Sequence, residues 1–201
     1  MPPKKPLSAR KQPSQRRSSA TVDVILEAAA RILEMGGLPA YNTNDIATVA
    51  GVSIGSLYQY FPNKEAITSA LILRDMQALL AATATLASMP PGPARVTALI
   101  AIAASHQLQR PSLARILDRE EERLPMEGEL ADVRDKLMKV VRFCMTSMPS
   151  PGPHTAEDVV AIIKSLVDAA SRRNERDQAA LVGRVNRAVF GYLGTVGGLG
   201  A

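Results

Sequence analysis

The stretch Thr43–Glu65 reads TNDIATVAGVSIGSLYQYFPNKE, and its pattern decides the fold that the whole sequence predicts. Apolar residues recur at helical spacing in two short segments on either side of Gly51. Because glycine adopts positive φ at no steric cost, Gly51 is suited to a tight turn between two helices. The pattern therefore predicts a helix-turn-helix, with the first helix over 43–50 and the second over 54–61. The apolar set that joins the two helices consists of Ile46, Ala47, Ala50, Val52, Leu57 and Tyr60.

The same spacing also fits a tight helical hairpin inside any helical protein, and the residue types distinguish the two possibilities. The informative residues are Ile25-Leu26-Glu27-Ala28-Ala29, Gly36-Gly37, Asp45-Ile46-Ala47, Ala50-Gly51-Val52-Ser53, Gly55-Ser56-Leu57-Tyr58, Tyr60-Phe61 and Lys64-Glu65. In these residues and their order, the sequence over about 21–72 resembles the DNA-binding region of the TetR family of transcriptional regulators. In that family the second helix of the turn lies in the major groove of operator DNA.

The resemblance implies which side chains contact DNA, and their chemistry fits those roles. Thr43 would cap the first helix of the turn and offer its hydroxyl or backbone N–H to a phosphate. Gly55 would let the backbone approach the duplex closely, and the amide of Gln59 suits a bidentate contact with adenine. Tyr58 would contact a phosphate or a thymine methyl group, and Lys64 a phosphate. The full predicted set is Thr43, Ser53, Ile54, Gly55, Ser56, Tyr58, Gln59, Tyr60 and Lys64, and the apolar spacing also assigns Tyr60 partly to the core.

The net charge of +5 is concentrated at the N-terminus. Residues 1–19 hold six basic and no acidic groups, whereas residues 20–70 hold two basic and five acidic groups. Affinity for DNA depends strongly on phosphate neutralisation, which the uncharged second helix of the turn cannot supply. Residues 1–18 have no apolar period, so they are either a plain disordered tail or an arm that follows the phosphate backbone or enters a minor groove. We expect this basic arm to supply affinity and residues 53–60 to supply sequence preference.

The rest of the sequence predicts helices and shows no convincing strand alternation. The predicted fold is therefore all-α, with about nine helices. Order is expected to begin near Ser19 in a first helix that Gly36-Gly37 ends. Residues 19–66 are expected to form the three-helix DNA-binding domain, and residues 67–201 a helical domain that binds an effector and mediates dimerisation. Beyond the turn, the predicted helices cover approximately 64–87, 94–109, 112–124, 127–148, 155–173 and 177–196.

The last two predicted helices are more apolar than a peripheral helix requires. A two-fold interface that joins this helix pair from each of two chains would bury the excess, and ordinary monomer core is the alternative. Recognition of two DNA half-sites also favours a homodimer. The candidate interface residues are Ile163, Leu166, Val185, Val189 and Tyr192.

Any effector is expected to be small and apolar, because the predicted pocket region is rich in Leu, Ile, Ala and Met. Between Met76 and Thr155 the one aromatic residue is Phe143, which excludes an aromatic cage for a planar cation. The candidate pocket residues are His106, Met138 and Phe143. For Met138 and Phe143 the alternative is core packing, and for His106 it is a solvated or internally bonded side chain.

Several classes of function lack a sequence signature. The single cysteine, Cys144, excludes an intrachain disulfide, and with His106 and His154 it does not have the spacing of a zinc site. The run Asp118–Arg123 is expected to be a solvated helix face, and no catalytic motif accompanies it. We therefore expect a cytoplasmic regulator, a repressor that is not an enzyme, needs no cofactor and does not contact a membrane. The alternatives are a helical interaction module and an enzyme built on a helical bundle.

Overall fold

The chain is almost entirely helical in the computed structural model, which describes residues 16–125, 127–173 and 175–194, with side chains from Ser19 onward. These residues form nine α-helices and one short 3-10 helix and contain no strand, which confirms the predicted all-α fold. The α-helices are α1 (Arg16–Ala40), α2 (Thr43–Ala50), α3 (Ile54–Tyr60), α4 (Lys64–Ala82), α5 (Pro93–Gln109), α6 (Pro111–Arg123), α7 (Glu129–Cys144), α8 (Thr155–Arg172) and α9 (Gln178–Tyr192). The 3-10 helix, Thr83–Ser88, lies between α4 and α5.

The ends of α1 differ from the sequence prediction. The helix begins at Arg16, three residues before the predicted start near Ser19. Its predicted end at Gly36-Gly37 is a kink instead, since Gly37 leaves helical geometry with φ 62° and ψ −163° and the helix resumes to Ala40. Sequence patterns locate such interruptions well but do not show whether the chain resumes the helix afterwards.

Among the described residues, the first of two compact units consists of 16–75 together with 112–125 and 127–130. It contains the helix-turn-helix, and α6 contributes its buried face through Leu113, Ala114 and Leu117. The division predicted from function after residue 66 therefore does not coincide with this packing division, and it stays a prediction. The large side chains fully buried in this unit are Ile25, Leu33, Ile46, Leu57, Phe61, Ile67, Leu71 and Ile72.

One residue of the predicted solvated run on α6 is buried. Glu120 is 5% exposed, and its carboxylate accepts hydrogen bonds from the Arg123 guanidinium, at 3.0 Å from Nε. The expectation of a fully solvated face is therefore wrong at Glu120. A buried carboxylate is stable when a hydrogen-bonded cation compensates it, and the i,i+3 spacing supplies that cation from the same helix.

The described residues of the second unit are 76–111, 131–173 and 175–194. Its main core forms where α5 packs against α8 and α9, and Val96, Ile100 and Ala104 are the buried residues that α5 contributes. A smaller cluster encloses Cys144, whose side chain is fully buried. Burial raises the pKa of this thiol, which disfavours the reactive thiolate form.

Three predicted interface residues belong to this core. Ile163 is 6% exposed, and Val185 and Val189 are completely buried within the chain. Their assignment to a surface that faces a second chain is therefore wrong, because α5 already covers the stripe on which they lie. The other two candidates, Leu166 and Tyr192, are half-buried at the margin of the same core.

The segment Lys64–Ser88 is long and apolar enough to cross a membrane, judged by length and composition only. Within its most apolar 18-residue window, 28% is buried in this structure. The length and composition of this segment alone therefore do not support the expectation that the protein does not contact a membrane. Core helices of soluble proteins pass the same test, and α4 supplies Ile67, Leu71 and Ile72 to the core of the first unit.

Candidate nucleic-acid interface

The turn between α2 and α3 has the geometry that the sequence predicts. Gly51 has φ 68° and ψ 29°, in the left-handed region, and its N–H donates to the carbonyls of Ala47 and Thr48. Val52 N–H then donates to the Ala47 carbonyl at 3.0 Å, which fixes the direction in which the chain leaves α2. A Cβ at residue 51 would meet no atom within 4 Å, so the backbone angle alone requires glycine here.

Side-chain caps fix the starts of the three helices around the turn. Asn42 caps α2, because its Oδ1 accepts from the Asp45 N–H at 2.9 Å. The prediction that Thr43 is this cap is therefore wrong by one residue. Ser53 caps α3 by accepting from the Ser56 N–H at 3.0 Å, and Asn63 caps α4 by accepting from the Ala66 N–H at 2.8 Å.

The displaced cap leaves the Thr43 side chain with a different partner. Its hydroxyl lies 3.0 Å from the Tyr58 hydroxyl, so the first residue of α2 is bonded to the middle of α3. The two hydroxyls share one hydrogen bond, and the remaining donor and acceptor sites stay open to a further polar group. The structure therefore brings two of the predicted DNA contacts together at a point where one phosphate oxygen could bind both.

The exposed face of α3 carries most of the predicted set. Ile54 is 39% exposed and Tyr58 is 42% exposed, while Leu57 on the opposite side is fully buried. The burial of Leu57 fixes the rotation of the helix about its axis. Ser53, Gly55 and Gln59 are exposed, and Ser56 and Tyr60 are intermediate, in agreement with the partly core position expected for Tyr60.

Gly55 has no internal reason to be glycine. A Cβ at this position would have its nearest neighbour, Ser53 Oγ, at an ordinary 3.9 Å, and the residue is an exposed member of a regular helix. Glycine in an exposed helix lowers stability by about 0.5–1 kcal/mol relative to alanine. The position is therefore consistent with a backbone that something outside the chain approaches closely.

Charge on this surface is sparse. Lys64 is the one basic residue of the sequence 43–65, and its side chain is exposed at the start of α4. The Asp45 carboxylate accepts a hydrogen bond from the Asn42 side-chain amide at 2.6 Å. The cations of the predicted arm before Arg16 lie outside the described residues, so their contribution stays a prediction.

The predicted effector pocket is less well supported. Two surface cavities, of about 480 and about 230 Å³, lie in the second unit, and neither is lined by His106, Met138 or Phe143. Met138 packs beside the smaller core cluster, and Phe143 is 44% exposed. The larger cavity is lined by Ser105, Leu108, Gln109, Pro111, Ser171, Glu175, Arg176 and Gln178.

Sequence reasoning missed two residues that order these units. The pattern Asn42-x-x-Asp45 is a capping signal of the kind that could have identified the start of α2. Arg95 carried no comparable signal, although it is 5% exposed. Its guanidinium donates to the carbonyls of Met89 and Phe143 and lies 4.2 Å from the centroid of the partly exposed Phe143 ring.

Comparison with known proteins points to the same helix-turn-helix region. Residues 25–71 match the family model described as bacterial regulatory proteins, tetR family. Two uncharacterized HTH-type transcriptional regulators, from two strains of Mycobacterium tuberculosis, are each 27% identical to the chain over 173 residues, which is 84% of this chain and 85% of the relative.

Solved structures share the fold. The fatty acid degradation regulator FadR from Bacillus halodurans has a TM-score of 0.74 at 18% identity and covers 94% of this chain and 97% of its own. A TetR-family transcriptional regulator from Streptomyces coelicolor has a TM-score of 0.66 at 21% identity and covers 88% of this chain and 99% of its own. Residues 25–71 are therefore similar to the helix-turn-helix region of the tetR family of bacterial regulatory proteins, and the chain as a whole shares the fold of these solved structures.

Proposed function

We propose that the protein is a cytoplasmic, homodimeric repressor that binds operator DNA through α3 and is released by a small apolar effector. The observation that carries the DNA-binding site is the exposed face of α3, which the buried Leu57 turns outward. Lys64 is exposed at the start of the next helix, α4. A helix of this kind places its first residues against base edges in the major groove. The proposed contacts are Thr43, Ser53, Ile54, Gly55, Ser56, Tyr58, Gln59, Tyr60 and Lys64.

These contacts divide into two groups by chemistry. The bonded hydroxyls of Thr43 and Tyr58, with the Lys64 ammonium, are suited to phosphate oxygens and would set the position of the domain on the duplex. Ile54 and Gln59 are exposed on the same helix, and no internal hydrogen bond fixes either side chain. Both are suited to contacts with base edges. The basic arm would add affinity that does not depend on sequence.

The proposed dimer uses the margin of the α8–α9 pair. Leu166 and Tyr192 are half-buried there, next to Ile162, Val182 and Phe190, and all five pack on the buried core without being enclosed by it. A second copy that covered this margin would place two α3 helices on one duplex. Dimerisation through the buried Val185 or Val189 would instead require the core to open.

The proposed effector acts by shifting a population. A compound that binds the second unit of one dimer conformation better than another changes the fraction of dimers whose two α3 helices match successive major grooves. α4 contributes residues to both units, so it is the proposed link between effector binding and the position of the α3 helices. His106 and Met138 remain the proposed polar and apolar pocket contacts. Phe143 is not retained, because its ring lies at the surface against Arg95.

Fluorescence anisotropy tests the proposed function directly. The purified full chain is titrated into labelled DNA from upstream of its own gene, with scrambled DNA as competitor, at several salt concentrations. Selective binding that persists in moderate salt is expected. A variant with Tyr58→Ala and Lys64→Ala should lose binding yet still unfold cooperatively, because both side chains are exposed and Tyr58 loses only its hydrogen bond with Thr43.

The alternatives predict different results in the same assay. A helical interaction module or a bundle enzyme would not bind one DNA sequence in preference to another, and the exposed side chains of Tyr58 and Lys64 would then not determine DNA binding. Unselective binding that disappears with salt would show that the arm alone binds DNA. DNA selected from a random library would then decide whether an operator lies elsewhere in the genome.

A further inference from the structure

The face of α3 that is open to DNA begins with an aliphatic side chain. Ile54 is 39% exposed at the first position of the helix, and Tyr58 lies one turn later on the same side. Leu57, which faces the core, prevents the helix from rotating Ile54 inward. An exposed isoleucine at the point where such a helix meets base edges calls for an apolar partner on the DNA.

The hydrogen bonds of the neighbouring polar groups limit which feature of the DNA can contact Ile54. The Ser53 hydroxyl accepts from the Ser56 N–H and lies 2.8 Å from the Ser56 hydroxyl, and the Tyr58 hydroxyl is bonded to Thr43. Ile54 itself offers no hydrogen bond, so a polar base edge placed against it would lose water without compensation. In the major groove the C5 methyl group of thymine is the apolar feature that a base presents.

We infer that Ile54 reads the C5 methyl group of a thymine in each half-site of the operator. This inference rests on the proposed DNA-binding function and names the base feature that the site recognises. Gln59 is exposed five residues later on α3 and suits adenine, so both readers favour A·T pairs. Tyr58 is assigned to the backbone instead, because its hydroxyl lies with Thr43 at the start of α2.

The test removes one methyl group at a time. Duplexes that the full-length chain prefers are first selected from a randomised DNA library. The preferred duplex is then synthesised with deoxyuridine in place of thymidine at each single position, which removes the methyl group and leaves base pairing intact. At one thymine per half-site the affinity is expected to fall about three- to fivefold, the factor for one buried methyl group.

Variants assign this loss to Ile54. Ile54→Ala should bind the thymidine and deoxyuridine duplexes equally, and Ile54→Val should keep most of the discrimination. Met35→Ala is the matched control, since Met35 is a 90% exposed apolar side chain of α1 in the same unit, and it should leave the ratio unchanged. Because Ile54 is at the surface, thermal unfolding of these variants should match that of the parent chain.

The possible outcomes separate the inference from the proposed function. A library that yields no preferred sequence overturns both. A preferred sequence that is bound equally with thymidine and deoxyuridine overturns the methyl readout and leaves the proposed function intact. Discrimination that survives Ile54→Ala shows that another residue reads the methyl group, and it overturns the assignment to Ile54.

Discussion

The helix-turn-helix and the α8–α9 pair both carry apolar stripes at helical spacing, yet the sequence specifies them to different degrees. In the helix-turn-helix, the φ of 68° at Gly51 and the caps at Ser53 and Asn63 fix each break locally. In α8 and α9 the stripe indicates burial without indicating the partner. Val185 and Val189 pack against α5 of their own chain. The sequence pattern is also compatible with packing against a second chain.

The difference lies in the range of the interactions. A turn glycine or a cap interacts with residues a few positions away, so its requirement is visible in a short stretch of sequence. The hydrophobic effect is non-directional, so an apolar face can be buried against another part of the same chain or against a second chain. The four predictions that follow test this contrast, in order of decreasing expected effect.

The largest effect is expected in the α8–α9 core. Val185→Ala removes buried carbon and should lower the free energy of unfolding by about 2–3 kcal/mol. The loss should be the same at all protein concentrations, because Val185 packs within one chain. Val182→Ala, at the half-buried margin of the same helix, should mainly weaken self-association in sedimentation experiments. If the Val185→Ala protein were fully stable but monomeric, Val185 would belong to the dimer interface and not to the core of one chain.

The next effect concerns the basic arm. Deleting residues 1–15 spares α1 and removes Lys4, Lys5, Arg10 and Lys11. Operator affinity should fall roughly 30-fold at moderate salt, and the slope of log affinity against log salt should become shallower by about 3 to 4, as counterion release predicts. Replacing the same four residues by glutamine is the matched control for chain length. An unchanged slope in both proteins would falsify the role of the arm.

Much of the fold and part of the candidate site could be predicted from sequence, and the exceptions have physical causes. Helix positions followed from Pro, Gly and apolar spacing. Asn42 was missed as the cap because Asn, Thr and Asp in adjacent positions all favour helix starts. Glu120 was taken as solvated because charge runs usually are, and its burial against the core depends on tertiary packing. The orientation of Phe143 depends on Arg95, which is distant in sequence.

Alanine substitution at two glycines of the helix-turn-helix should change the free energy of unfolding in opposite directions. Gly51→Ala should lower the free energy of unfolding by about 1–2 kcal/mol, because alanine is strained at positive φ. Gly55→Ala should raise it by about 0.5–1 kcal/mol, because alanine fits this exposed helical position. DNA affinity should nevertheless fall in Gly55→Ala, since the new methyl group separates the backbone from the duplex. Denaturant unfolding and anisotropy measure the two effects, and undiminished affinity in Gly55→Ala would argue against close approach.

The smallest effect is expected at the hydroxyl pair that joins α2 to α3. Thr43→Val and Tyr58→Phe each remove one hydroxyl of the 3.0 Å contact while keeping the shape of the side chain. A double-mutant cycle on the free energy of unfolding should give a coupling of about 0.5–1 kcal/mol without DNA, the net value of one hydrogen bond. If both hydroxyls also share one phosphate, the coupling measured on operator affinity should exceed the coupling in unfolding. Strict additivity in both cycles would mean that the two residues act separately, and the contact would then have no part in holding α3 in position for the groove.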